Sequence, residues 1–424
     1  MKLTVIGGGS TYTPELVDGV ARLAAEVKVS ELVLMDPDAG RLDVVGPFAA
    51  RIMRRYGHQA RLRWTTSLDD GLDGAAAVLL QLRVGGQAAR HQDETWPLEC
   101  GCVGQETVGA GGLAKALRTI PVVLRIAELA RQRAAPGAWI IDFTNPVGMV
   151  TKALLDAGHR AIGLCNVAIG FQRHFAGLLG VEPDRVSLGH AGLNHLTWEL
   201  AAMVDGTDVL PGLLASHGEQ IAQRTGLPPA VIGEIGAVPS YYLRYYYAHD
   251  EVVEQERGSR TRAQEVAGLE GKLLAMYADP ALDRKPDLLA ERGGAFYSEA
   301  AVALLASLAC DTGDTQVVNL RNAGTMPFLP DDAVIEIPAR IGADGARPDP
   351  LTPLAGLDPL LRGLILHMSA YEELAVQAAV HGGRARVQKA LLAHPLVGQR
   401  ALADRLTDLL LAANAPFLSW ADGE

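Results

Sequence analysis

The first forty residues switch from one hydrophobic period to another and back. Leu3-Thr4-Val5-Ile6 is a buried-strand run, broken by the turn Gly7-Gly8-Gly9-Ser10. From Pro14 to Ala25 the apolar positions Leu16, Val17, Val20 and Leu23 recur at helical spacing. Glu31-Leu32-Val33-Leu34-Met35 is then a second strand ending on Asp36. Strand, glycine turn, helix and strand make a βαβ opening. Apolar runs at 76–82, 139–143 and 161–164, separated by helical stretches such as 114–133, have the character of parallel strands covered on both faces.

These runs predict a doubly wound, Rossmann-like parallel sheet extending to about residue 165. Beyond it the pattern is mixed, with helices predicted near 262–277, 299–312 and 358–379 and strands at 316–320 and 333–338. The expected fold class is therefore α/β: a Rossmann-like NAD-binding domain over 1–165, then a mixed α+β catalytic and oligomerisation domain over 166–424. No internal repeat or long linker divides the two.

A chain of 424 residues has room for two or three domains of about 150 residues. Its net charge of −11, from 38 Lys+Arg against 49 Asp+Glu, argues against nucleic acid or an anionic membrane as partner. On its face it also argues against a strongly anionic small substrate. No apolar stretch nears the ~18 residues that span a bilayer. Met1-Lys2 leads straight into the first strand without a leader pattern, and four cysteines make no disulfide framework in a chain this long. A cytoplasmic location is expected.

A glycine turn between strand and helix lets backbone N–H groups approach a pyrophosphate, and an acid ending the second strand accepts ribose hydroxyls, which favours NAD over NADP. Gly7, Gly9, Ser10, Thr11 and Asp36 are thus the candidate cofactor contacts. The pattern departs from the usual fingerprint in two ways. Tyr12 replaces the third glycine, and Asp36 lies 29 residues beyond Gly7 instead of about 20.

Asp142-Phe143-Thr144-Asn145-Pro146 and Cys165-Asn166 both follow predicted strands, at the sheet edge where such folds bind ligands. Cys165 and His195 could hold a divalent metal with positions open to substrate oxygens, although each alone is more often a core residue. Five of the ten tyrosines fall within 241–247. Their plain reading is an aromatic helix face, while a tyrosine beside a cation acts as a base. The sequence shows no nucleophile elbow, P-loop or obvious glycosidase pair of carboxylates.

In order, these motifs resemble glycoside hydrolase family 4, the NAD- and metal-dependent glycosidases, and within it the branch acting on 6-phospho-β-glucosides. The resemblance covers nearly the whole chain. It rests on the run from Gly7 to Leu16, on Val84-Gly85-Gly86 leading to Arg90 and Asp93-Glu94, and on Gly104-Gln105-Glu106-Thr107-Val108-Gly109. Thr144-Asn145-Pro146, Gly163-Leu164-Cys165-Asn166, Gly192-Leu193-Asn194-His195, the tyrosine cluster and Thr261-Arg262-Ala263-Gln264-Glu265 complete it.

The resemblance implies hydride removal from carbon 3 by NAD+, proton abstraction at carbon 2, loss of the aglycone from carbon 1, water addition and hydride return, assisted by a divalent metal, manganese first. By position it implies Cys165 and His195 as metal ligands, Tyr242 as base with Tyr241 as the neighbouring alternative, and Glu106 as an acid near sugar and metal. Arg90, Asn145 and Arg262 match binders of the sugar 6-phosphate. Asn166 stands where members acting on α-linked substrates carry Asp. An amide cannot protonate a leaving group, so this points to the β branch, leaves the leaving-group acid unassigned and makes Asn166 a contact to substrate hydroxyls. The implied partners are a phosphorylated disaccharide or aryl glucoside and further copies of the chain, as homodimer or homotetramer. Competing readings are an NAD-dependent dehydrogenase of the lactate/malate type, a family member with another sugar specificity, and an NAD-sensing binding protein.

Overall fold

A computed structural model describes residues 1–294 and 296–420. Six short strands, β1 (Lys2–Ile6), β2 (Glu31–Met35), β3 (Arg61–Thr65), β4 (Ala77–Leu80), β5 (Trp139–Asp142) and β6 (Ala161–Gly163), pair in parallel in the order β3-β2-β1-β4-β5-β6; all but the edge strand β3 are largely apolar. The order reverses beside β1, and the crevice at that reversal is where doubly wound sheets take ligands.

The second half adds strands to the same sheet. Along it run β7 (Val186–Leu193), β8 (Leu196–Val204), β9 (Thr207–Asp208), β10 (Val238–Pro239), β11 (Asp314–Arg321), β12 (Val334–Gly342) and β13 (Gly345–Pro348). From β6 the order continues β11-β12-β7-β8-β10, all antiparallel, with β9 and β13 beside β8 and β12. One hydrophobic core carries side chains from both halves, from Leu3 and Val78 to Ile335 and Leu410.

Two differences from the sequence expectation bear on the site. The helix predicted from residue 114 begins five residues earlier, as Gly109–Arg133. Its opening glycines are poor helix formers, but they let the backbone of the preceding loop lie directly on the helix. A Cβ at Gly112 would sit 2.7 Å from the Thr107 carbonyl carbon. Close packing overrides propensity there. The hairpin β7–β8 was not predicted, because it is buried almost throughout and carries His190 and Glu199 inward, so no apolar–polar alternation marks it.

Candidate active site

The glycine turn follows β1 closely. Gly7 has φ 87°, and a Cβ there would lie 2.8 Å from the Gln81 carbonyl oxygen. The Asp36 carboxylate accepts from the N–H groups of Gly9 and Asp38, both at 3.0 Å, so it braces the turn it was expected to serve. Gly7, Ser10, Tyr12 and Asp36 line a cleft of about 910 Å³ that runs from this turn to the edge of the antiparallel half. Gly9 and Thr11 do not line it. Thr11 is buried beneath Arg292, whose Nε donates to the Thr11 hydroxyl at 2.6 Å.

Tyr12 accounts for the broken fingerprint. Its hydroxyl donates to the carbonyl of Gly294 at 2.6 Å, and its ring meets Tyr297 edge to face. The tyrosine ties the turn to the 292–297 segment, a contact no glycine could make.

Farther along, Asn145, Asn166, Tyr242 and Tyr297 line the same cleft. His195 is the second residue of the two-residue turn joining β7 to β8, with φ 65°, a backbone region uncommon for a residue with a side chain. Ser240 steadies it by donating to its carbonyl at 3.2 Å. The His195 Nδ1 pairs with the Thr107 hydroxyl at 3.0 Å, and Tyr242 stacks on its ring. Burial lowers the imidazole to about 4, so it is neutral near pH 7. Cys165, directly after β6, is buried among Asn194, Tyr297 and Tyr242; burial and the Glu336 charge push its thiol up. Tyr242 is likewise raised, by burial and then by Cys165. Tyr241 is exposed under Arg244 and does not line the cleft.

Cations occupy the wall opposite. Glu106 does not line the cleft but sits behind it, paired with Arg83, with Lys115 at 2.6 Å and with Arg90 at 3.2 Å. Burial alone would raise its carboxyl, and the three cations overrule burial to hold it well below the carboxylate range. Burial, then Arg83, brings Lys115 down to about 7. Arg90 also meets Glu94 at 2.6 Å, whose other oxygen accepts from the Ala263 N–H and so docks the helix Arg262–Tyr277. Arg262 stands at the rim, half exposed, held by Glu265 and the Glu291 carbonyl.

The acidic net charge suggested that anionic small molecules are disfavoured, and the cleft overturns that inference. A potential inside a cleft follows the groups that line it, here Arg41, Arg83, Arg90, Lys115, Arg125, Arg262 and Arg292 against Asp36, Asp38 and Glu270. Among the described residues no three His, Cys, Asp or Glu side chains converge into a full metal shell. Cys165 and His195 supply two donors of the kinds that transition metals take. Stacking covers the His195 ring face, while a metal binds in the ring plane, where Nε2 is the nitrogen that Thr107 leaves over.

Residues 2–181 match the family 4 glycosyl hydrolases and residues 190–397 match the family 4 glycosyl hydrolase C-terminal domain. The chain belongs to glycosyl hydrolase family 4.

A probable 6-phospho-β-glucosidase of Bacillus subtilis is 37% identical to this family 4 chain, over 99% of it and 97% of the relative. The 6-phospho-β-glucosidase of Escherichia coli is 35% identical over 99% and 96%. Among solved structures, the 6-phospho-β-glucosidase from Thermotoga maritima with NAD and glucose-6-phosphate superposes at a TM-score of 0.91, with 32% identity over 99% of each chain. The same protein has a structure with manganese, NAD+ and glucose-6-phosphate, at a TM-score of 0.88, with 30% identity over 99% of each chain. A phospho-α-glucosidase of Clostridium acetobutylicum is 27% identical over 97% of each chain. Malate dehydrogenase from Salinibacter ruber shares the fold, at 18% identity over 92% of this chain and 98% of that one, with a TM-score of 0.54.

The family 4 site also contains residues that sequence reasoning missed. Arg83, Lys115, Glu270, Arg292 and Tyr297 line the cleft, yet none lay in a motif that set it apart from ordinary surface or core. Only Arg83, directly before Val84-Gly85-Gly86, adjoined a recognised motif.

Proposed function

We propose that this glycosidase hydrolyses 6-phospho-β-glucosides such as cellobiose 6-phosphate. The observation that carries the reading is one cleft whose lining includes the glycine turn, Tyr242 and several arginines together. Residues 1–165 would hold the dinucleotide and residues 166–424 most of the sugar contacts.

When bound, NAD+ would take and return a hydride at carbon 3, and a divalent cation, manganese first, would draw charge from the oxygens on carbons 2 and 3. Cys165 and His195 would hold the cation; Gly7, Ser10 and Asp36 would hold the dinucleotide. Thr11 serves from behind, through Arg292. Tyr242, as its phenolate, would accept the carbon-2 proton. With its pKa raised by burial it is a poor base alone, and a nearby positive charge supplies what it lacks. Glu106 fixes the cations of the phosphate side. Arg90, Asn145 and Arg262 would take the sugar 6-phosphate, for which the arginine fork is suited. Asn145 has a buried side-chain oxygen without a partner, consistent with a waiting hydroxyl donor. Asn166 in place of Asp supports the β branch.

The free cysteines and the nature of the substrate support a cytoplasmic location. A homodimer or homotetramer is supported by Leu360, Leu366 and Val380, exposed on the helix Pro359–His381; light scattering reads the assembly directly.

The test is aglycone release from p-nitrophenyl β-glucoside 6-phosphate, with the α-linked and unphosphorylated glucosides in parallel. Release should need NAD+ and Mn²⁺, stop with EDTA and leave no net NADH. Turnover that survives removal of both would sink the mechanism; NADH accumulating with product would mark a dehydrogenase.

A further inference from the structure

Behind Cys165 and His195 lies a buried polar assembly built from four antiparallel strands. Glu336 of β12 is its centre. One carboxylate oxygen accepts from His190 Nε2 of β7 at 3.0 Å, and the other accepts from Asn319 Nδ2 of β11 at 2.9 Å and from Asn194 Nδ2 at 2.8 Å. His190 turns its Nδ1 to Glu199 of β8 at 2.7 Å. The side chains of His190, Glu199 and Glu336 are at most 1% exposed. The His190 hydrogen bonds help hold the Glu336 carboxyl below its ordinary value although burial opposes it, so Glu336 is an anion.

Burying a carboxylate this deeply is costly and is not needed to close a β-sheet. Its placement explains it. Asn194 precedes His195 in the hairpin turn and also hydrogen-bonds Cys165, so the group gripped by Glu336 adjoins both expected metal ligands. With two acids around one imidazole, the assembly carries an excess of acid over base beside that pair.

We infer that Glu336 is a positioning residue for the cation site: through Asn194 it fixes the side chain beside Cys165 and the turn that presents His195, and its charge favours a cation there. This rests on the reading that Cys165 and His195 hold the metal. Carboxylates that orient metal ligands from one layer behind change affinity by about 10–100-fold when removed.

The experiment is a Mn²⁺ titration of the full chain, followed by EPR of free Mn²⁺, with thermal melting alongside. Glu336→Gln should weaken Mn²⁺ about 10–100-fold. Asn319→Ala removes another donor to the same carboxylate without touching Asn194; it should lower the melting temperature and leave the Mn²⁺ affinity within about twofold. Asn194→Ser gives the same reading should Glu336→Gln not fold, with Mn²⁺ weakened by a similar factor. Wild-type Mn²⁺ affinity in either Glu336→Gln or Asn194→Ser would overturn the proposal. So would equal losses of affinity in Glu336→Gln and Asn319→Ala, which would mark the assembly as structural. Cys165→Ala separates the two readings: unchanged Mn²⁺ binding there refutes the ligand assignment itself, whereas binding lost there but intact in Glu336→Gln refutes only the role of Glu336.

Discussion

The ring of Tyr242 lies face to face on the imidazole of His195, with centroids 3.6 Å apart and planes 6° from parallel. Two jobs are thereby combined in one side chain, which packs on the imidazole plane and also lines the cleft.

Tyr242→Phe separates those jobs. The stack remains, so Mn²⁺ and NAD+ affinities and the melting temperature should stay near wild type, while kcat falls by about 10²–10⁴ with the loss of a general base. Exchange of the carbon-2 proton with deuterated solvent should fall in step. A Phe variant keeping half the wild-type kcat would remove Tyr242 from the chemistry.

The two arginines expected at the phosphate should behave differently. Arg262 is half exposed and its ion pair with Glu265 contributes little, so Arg262→Ala should raise KM for the phosphorylated substrate about 10–100-fold with the melting temperature almost unchanged. Arg90 is buried between Glu94 and Glu106, and its removal takes the cation from Glu94 while Glu106 keeps Arg83 and Lys115. Arg90→Ala should raise KM and also cost on the order of 3 kcal/mol in urea unfolding. An Arg262→Ala enzyme with wild-type KM would take the phosphate elsewhere.

Tyr12 invites a test by restoring the missing glycine. Tyr12→Phe loses the hydrogen bond to the Gly294 carbonyl, which keeps only the 3.3 Å bond from the Tyr297 N–H, and should cost about 0.5–1.5 kcal/mol. Tyr12→Gly loses the packing as well, so it should melt lower still and bind NAD+ more weakly in calorimetry, despite matching the usual fingerprint better. Tighter NAD+ binding by the glycine variant would contradict the role given to Tyr12.

Glu372 should leave a mark on the pH dependence of stability. Burial and, less strongly, the Glu336 charge raise it to about 8 from an ordinary 4.5. Between those values the folded chain keeps a proton that the unfolded chain has released. Stability therefore falls as pH rises through this window, by up to about 1.4 kcal/mol per pH unit. Glu372→Gln, which imitates the protonated form, should lack this component when urea unfolding is compared from pH 5 to pH 8. Parallel profiles for the two proteins would assign the slope to other groups.

Five of the six parallel strands were legible because strands buried on both faces are plain apolar runs, as in β2 and β4; β3, Arg61-Leu62-Arg63-Trp64-Thr65, lies at the sheet edge with no buried residue and shows no such run. Motif residues at the ends of β5 and β6 could be placed for the same reason. The hairpin β7–β8 was not, since its buried polar groups erase alternation, and only its turn stood out through Asn194 and His195. Arg292 was invisible for another reason: it acts on Ser10 and Thr11 across some 280 residues, and nothing local marks an arginine that will be buried. The charge balance misled because it sums over a surface the substrate never meets.

The hydrogen-bonded path from β6 to β11 has a mechanical consequence. A hinge between residues 1–165 and 166–424 would have to break the pairing of Gly163 with Asn319, which couples the two halves mechanically. The two matched family regions meet at residues 181–190, inside this single sheet. Cutting there would strand β6 and β11 as bare sticky edges, and two fragments would be expected to aggregate before either could work alone.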